Sequence, residues 1–218
     1  MIALFGGSFN PVHNGHLIVG RDVLEDFNFK EVWFVPARVQ PLKGELTLPA
    51  SVRLEALKEA VALEPRFKVW DYELREEGPS YTYRTLEAFW QLYGEKPAFV
   101  MGADSFNSFH LWKNPRRILS LARLVVVSRP GYPLAVEKVE EALGLRLKFV
   151  RVRRGRVSLP REWQVALYEG RLLEISATEI RERLFSGRSI SYFLPERVEK
   201  IVRRWRDGLR QNVQQNDP

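Results

Sequence analysis

Ile2-Ala3-Leu4-Phe5-Gly6-Gly7-Ser8-Phe9-Asn10-Pro11-Val12-His13-Asn14-Gly15-His16 is the stretch whose reading settles the architecture. Ile2 to Phe5 is a short apolar run of the kind that forms a buried strand. Gly6 and Gly7 follow it, and glycines at such a turn let a ligand approach the backbone closely. From Leu17 to Phe27 the pattern is that of a helix, so the segment reads strand, glycine turn, helix. A helix N-terminus presents unpaired N–H groups and is a ready anion site. His13 and His16 are three residues apart, a spacing that makes them point the same way in a first helical turn.

Outward from this segment, short apolar runs alternate with helical patterns. Strands are predicted at Ile2–Phe5, Glu31–Val35, Phe67–Trp70, Ala98–Met101, Leu124–Ser128 and Leu147–Val150. Leu54, Leu57 and Val61 share one helical face, as do Val136, Val139 and Leu143, and Val198, Ile201, Val202 and Trp205 form a third stripe. Alternating β and α units imply a mostly parallel sheet, here an α/β, Rossmann-like, doubly wound fold with a helical cap from Ile175 onward. Residues 1–210 read as one domain, and 211–218 as a frayed polar tail. The segment Arg38 to Pro49, with Pro41, Gly44 and Pro49, reads as a surface loop.

Composition narrows the chemistry. The 218 residues contain no cysteine, which excludes disulfides and thiolate zinc sites. No apolar run approaches the ~20 residues that span a bilayer, and the N-terminus lacks the basic start of a signal peptide. A soluble, cytoplasmic protein without membrane contact is expected. The net charge of +7 favours anionic partners. The tightest basic stretch is Arg151-Val152-Arg153-Arg154-Gly155-Arg156.

His13 and His16 are two of only three histidines. A metal pair is the lesser reading, because His110 is remote and no nearby acidic residue completes a site. Paired imidazoles over a phosphate-binding turn fit better. Neither Gly-x-x-x-x-Gly-Lys-Ser/Thr nor Gly-x-Gly-x-x-Gly occurs, which excludes a P-loop and weakens a dehydrogenase reading. A second motif, Ile175-Ser176-Ala177-Thr178-Glu179-Ile180-Arg181, carries a capping-box pattern from Ser176 to Glu179. The same hydroxyls and N–H groups suit phosphate oxygens, with Arg181 reaching the same anion.

These two motifs resemble the signatures of the nucleotidyltransferase superfamily, His-x-Gly-His and Ile-Ser-Ser-Thr-x-x-Arg, with Ala177 replacing the second serine. Further segments are similar to bacterial nicotinate-nucleotide adenylyltransferases: Gln40-Pro41-Leu42-Lys43, Gly78-Pro79-Ser80-Tyr81-Thr82, Gly102-Ala103-Asp104, Trp112 and Ser128-Arg129-Pro130-Gly131-Tyr132. The likeness runs from Phe5 to about Pro195 and is weakest between Arg146 and Glu174. It implies adenylyl transfer from ATP to nicotinate mononucleotide, with Mg2+ accompanying the ATP. His13, His16, Lys43 and Arg181 would be catalytic. Gly6, Gly7, Ser8, Phe9, Gly102, Asp104, Ile175, Ser176 and Thr178 would join His13, His16 and Arg181 in holding ATP. Asn10, Lys43, Tyr81, Thr82, Trp112 and Arg129 would hold the mononucleotide.

Read without the resemblance, several of these residues have plainer roles. Asp104 suits a helix N-cap, Ser80 to Thr82 a turn before a helix, Trp112 the core, and Lys43 a solvated loop. Among enzymes, a nicotinamide-mononucleotide or phosphopantetheine adenylyltransferase is the alternative. From another class, a nucleic-acid-binding module would use Arg151 to Arg156 and show steep salt dependence. Homo-oligomerisation stays open.

Overall fold

The computed structural model describes residues 1–42, 46–128, 133–155, 157–171 and 173–214. Its elements are β1 (Ile2–Gly7), α1 (Asn14–Asp26), β2 (Glu31–Pro36), α2 (Ala50–Val61), β3 (Phe67–Val69), α3 (Tyr72–Arg75), α4 (Thr82–Tyr93), β4 (Ala98–Gly102) and α5 (Ala103–Asn107). A 3-10 turn at Phe109–Leu111 leads to α6 (Pro115–Leu121), β5 (Arg123–Val127), α7 (Val136–Leu143), β6 (Phe149–Arg153), β7 (Val165–Glu169), α8 (Ala177–Phe185) and α9 (Glu196–Gln214).

The described strands form one sheet in the order β3-β2-β1-β4-β5-β7-β6, and every neighbouring pair is parallel. Alternate strand residues feed two cores, as the two-residue period of a strand requires. Ala3, Val100 and Val125 face the first core, with Leu24, Leu57, Ile180 and Val198 from the helices. Leu4, Phe99 and Val126 face the second, with Leu86, Phe89, Ile118 and Val139. Both faces are therefore covered, which explains why the central strands are continuous apolar runs.

The C-terminal cap packs on the first core. Val198, Ile201 and Val202 of α9 are buried, and Arg197–Glu59 (3.1 Å) and Arg204–Glu55 (2.6 Å) tie α9 to α2 at its edges. These pairs are exposed and each contributes little; the apolar stripe does the holding.

Three sequence expectations are corrected. First, β7 occupies Val165–Glu169 in a region for which no strand was predicted, and it lies between β5 and β6. Second, β6 begins at Phe149 rather than Leu147. The Leu147 side chain turns into the second core, and its N–H donates to Glu140 Oε1 at 2.7 Å, so it is withdrawn from the ladder. β6 thus takes in Arg151 and Arg153 of the basic stretch as an edge strand. Arg153 pairs with Glu169 (3.0 Å) and Arg151 lies over the Phe149 ring. Charged side chains on an edge strand discourage pairing with another chain. Third, the inward face of α2 is Arg53, Ala56, Leu57, Ala60 and Val61, with Leu54 only half-buried.

The chain builds β1, β2 and β3 in one direction across the sheet, then crosses β1 to lay down β4 and β5 in the other. Between β1 and β4 the connections diverge, and a crevice opens at the carboxyl ends of the strands. Gly6-Gly7 and Gly102 are those ends.

Candidate active site

Two adjoining cavities occupy that crevice, of about 750 Å³ and about 560 Å³, sizes ordinary for small-molecule sites. Gly6, Gly7, Gln40, Gly102 and Asp104 line both. The larger is walled by aromatic and apolar groups, among them Tyr81, Phe99, Met101, Leu111 and Trp112. The smaller is lined by His13, His16, Arg171, Ser176, Thr178 and Arg181.

The histidine cavity is built from two strand-to-helix turns. His13 is the N-cap of α1 and His16 its third residue. The two rings stack with centroids 3.7 Å apart. The His13 backbone N–H donates to His16 Nδ1 at 3.2 Å. An accepting Nδ1 carries no hydrogen, so the neutral His16 ring has its hydrogen on Nε2. Phe9 packs edge-on against His16, centroids 5.0 Å apart. Gly15 is needed for this approach: a Cβ there would meet the His13 ring at 3.0 Å and the Ile175 Cβ at 3.5 Å.

Gly15 therefore lies where the first motif passes beside Ile175 of the second. Ser176 caps α8, its Oγ accepting from Glu179 N–H at 3.1 Å, the N-cap half of the capping-box pattern. Arg181 donates through one Nη to the Asn10 carbonyl (2.7 Å) and through the other to Thr178 Oγ1 (3.2 Å). Burial lowers its pKa somewhat from the arginine value, which leaves it a cation at neutral pH.

Asp104 stands on the shared wall, at the second position of α5, whose N-cap is Gly102. The Asp104 carboxylate folds back so closely that a Cβ on Gly102 would lie 2.6 Å from its Oδ1. A side chain at Gly102 would push this carboxylate aside.

The aromatic cavity draws on loops. Ser80 N–H donates to Val39 O (3.0 Å) and Ser80 Oγ accepts from Arg38 N–H (2.8 Å), which holds the start of the Arg38–Pro49 loop against the segment before α4. Tyr81 is the N-cap of α4 and Thr82 its first residue. Trp112 follows the 3-10 turn, half-buried, with Phe99 edge-on at 6.3 Å and Phe109 at 5.6 Å. It is thus both packed and part of the cavity wall.

Not every predicted residue falls where its assigned ligand would put it. Asn10 lines the histidine cavity, away from Tyr81, Thr82 and Trp112. It is buried, and its Oδ1 accepts from Leu48 N–H at 2.8 Å. Lys43 and Arg129 lie outside the described residues. Three residues went unnoticed in the sequence. Arg171 lines the histidine cavity and is held by Asp22 of α1 through Nε at 2.8 Å. Glu73 lines the aromatic cavity, accepting from Thr85 Oγ1 at 2.6 Å, and burial pushes its carboxyl up to about 7. Arg53 is fully buried beneath the loop. The signal for Arg53 was an ionisable residue on an otherwise apolar helical face; Glu73 sits in the short, charge-rich α3 and carried none. Arg171 sits in the least family-like region, and nothing local marks it.

Among the described residues, no group of three or more His, Asp or Glu side chains could hold a metal. Nor is any described helix long and apolar enough to cross a membrane.

The cytidylyltransferase-like family model matches residues 4–183. The chain is 44% identical over 180 residues to a protein of Aquifex aeolicus named probable nicotinate-nucleotide adenylyltransferase, covering 82% of this chain and 100% of that one. A Clostridium botulinum protein of the same name is 33% identical over 202 residues, 92% of this chain and 94% of its own. Among solved structures, Plasmodium falciparum nicotinic acid mononucleotide adenylyltransferase complexed with NaAD superposes with a TM-score of 0.69 at 17% identity, over 94% of this chain and 95% of that one. That likeness speaks to the fold. The family match and the sequence relatives together show that the chain belongs to the cytidylyltransferase-like family, with the nicotinate-nucleotide adenylyltransferases.

Proposed function

We propose that this member of the family transfers the adenylyl group of ATP to nicotinate mononucleotide, giving the dinucleotide and pyrophosphate, a step of NAD biosynthesis. The carrying observation is the pair of cavities, one polar with stacked histidines and one aromatic, that meet at Gly6-Gly7 and Gly102. A reaction that joins two nucleotides needs two sites sharing one wall, with the reacting phosphates at the seam.

In this reading the mononucleotide phosphate attacks the α-phosphorus of ATP. A new P–O bond forms as the bond from the α-phosphorus to the bridging oxygen breaks, and pyrophosphate leaves with the electron pair. The nucleophile is already an anion, since a phosphate monoester loses its second proton near pH ~6. No strong base is needed, and catalysis rests on alignment and charge. His16 Nε2–H donates to the α-phosphate, and His13 holds His16 in place by stacking and through its backbone N–H. Gly6 to Phe9 bring main chain close to the phosphates. Ser176, Thr178, Ile175 and the start of α8 take the outer phosphates with Arg181 and Lys43, and Arg171 adds a further cation there. Asp104 accepts from a sugar hydroxyl at the seam.

The mononucleotide ring lies against Trp112, with Tyr81 and Thr82 backbone at its edge, and Arg129 meets its phosphate. Asn10 serves this site indirectly, by securing Leu48. Magnesium prefers six oxygens and keeps several waters. Among the described residues Asp104 is the one acidic residue lining the histidine cavity, so the ion would be held mostly by phosphates and water, with that carboxylate beside them. When bound it neutralises charge developing on pyrophosphate.

Pyrophosphate release with ATP and magnesium, measured separately with nicotinate mononucleotide, nicotinamide mononucleotide and phosphopantetheine, tests the proposal. Turnover with the first at least ~10-fold above the others supports it. A preference for either of the others moves the substrate, and silence with all three overturns adenylyl transfer.

A further inference from the structure

We infer that Arg53 is a positioning residue that holds the loop common to both cavities in register with the histidine turn. Its side chain is 1% exposed. The acceptors of its guanidinium are all backbone carbonyls: Nε donates to Leu48 O at 3.2 Å, and one Nη donates to Ser8 O at 2.7 Å and to Ala37 O at 2.8 Å. Among the described residues no carboxylate pairs with it.

The identity of those carbonyls carries the inference. Ala37 and Leu48 are the two feet of the Arg38–Pro49 loop. That loop supplies Gln40 to both cavities, Pro41 and Leu42 to the aromatic one, and Leu46 and Thr47 to the histidine one. Ser8 belongs to the turn between β1 and α1 and lines the histidine cavity. One planar, rigid donor fork therefore closes the base of the loop and fastens it to the phosphate-side turn. The network continues outward. Leu48 N–H donates to Asn10 Oδ1, and the Asn10 carbonyl accepts from Arg181. Arg53 is thereby linked, through Leu48 and Asn10, to the second motif.

A buried cation with no anion beside it among the described residues is a costly way to hold a loop, since an uncompensated charge is expensive to desolvate. Burial pushes the guanidinium down to about 10, which still leaves it charged near neutral pH. Leucine or methionine would pack on α2 at no such cost, but neither would satisfy three inward-facing carbonyls. Retaining charge there makes sense where the carbonyls must be held at fixed positions, as at the junction of two substrates. The catalytic part of this inference rests on the adenylyl-transfer reading; the positioning part does not.

The test compares Arg53→Lys and Arg53→Met with wild type. Lysine keeps the charge but lacks the fork. Arg53→Lys is expected to fold, to lower kcat/KM for both substrates by roughly 10-fold, and Arg53→Met by roughly 100-fold, since small misplacements of reacting groups cost that much. Hydrogen exchange provides a readout independent of substrate. In Arg53→Lys the Leu48 amide should exchange at least ~10-fold faster while amides of β4 and β5 keep their wild-type rates. Unchanged Leu48 exchange in a folded Arg53→Lys overturns the inference, and so does uniform acceleration across the sheet. If Arg53→Met does not fold, Arg53→Lys alone decides. If wild type proves inactive with every mononucleotide, the adenylyl-transfer reading falls and the exchange comparison still decides the role of Arg53.

Discussion

The two cavities share a wall yet are made by different kinds of chain. The histidine cavity is formed where β1 and the segment after β7 turn into helices, so its groups are backbone N–H, imidazole and guanidinium held by short-range geometry. The aromatic cavity is assembled from the 38–42 segment, the approach to α4 and the turn before α6, and its groups are rings and apolar side chains. The first suits aligning and stabilising charge; the second suits holding a flat ring. Changes in the first should therefore act on kcat, and changes in the second on KM.

The largest effect is expected at His16. Removing a donor placed where charge develops costs about 100- to 1,000-fold in rate, so His16→Ala should lose about that in kcat with an unchanged circular dichroism spectrum. A variant within ~5-fold of wild type would break the comparison. Next comes Arg181→Ala, which removes a cation and its tie to Asn10. Charge-assisted hydrogen bonds are worth about 1.5–3 kcal/mol, so kcat/KM for ATP should fall by roughly 10- to 150-fold, read from initial rates at varied ATP.

Trp112→Ala should leave kcat nearly intact and raise KM for the mononucleotide, by ~5- to 150-fold if base–aromatic stacking is worth about 1–3 kcal/mol. A fall in kcat equal to that of His16→Ala would mean that the two cavities do not divide the work as their linings suggest.

The smallest effect on turnover is expected at Glu73, where the readout is stability. Its carboxyl moves from an ordinary 4.5 to about 7 through burial, with the Thr85 and Ser80 hydroxyls opposing the shift. The folded chain thus keeps a proton that the unfolded chain loses above pH 4.5. The resulting stability is fully present below that pH and is lost as pH rises through about 7, by roughly 3 kcal/mol in all. Denaturant titrations of Glu73→Gln at pH 5 and pH 8 should show this slope removed; an identical slope in variant and wild type would assign it to other groups.

The same contrast explains what could be read from residue order. The histidine cavity was legible because its parts are local. Strand, glycine turn and helix start follow each other within sixteen residues, and Ser176 caps α8 by a bond to a residue three positions on. The aromatic cavity was less legible. Tyr81 and Trp112 read the same in sequence whether they serve a core or a ligand, and Trp112 both packs on Phe99 and Phe109 and lines the cavity. Asn10 shows the other side of this: the resemblance implies a ligand role, and only the structure shows that its amide oxygen accepts from Leu48 N–H. β7 was overlooked although Val165-Ala166-Leu167-Tyr168 is an apolar run of strand length ahead of Gly170; its place between β5 and β6 is set by pairing between strands distant in sequence.

Residue order alone thus determined the α/β alternation, the two strand-to-helix turns that line the histidine cavity, the family resemblance and the apolar stripe of α9. Each depends on interactions among near neighbours, or on periodicities that every turn of helix or strand repeats. Only the tertiary structure decided that β4 lies beside β1, that Arg181 reaches Asn10 across 171 positions, and that Arg53 sits beneath the loop. A buried cation and three carbonyls meet only when the sheet is assembled, and no local preference encodes their meeting.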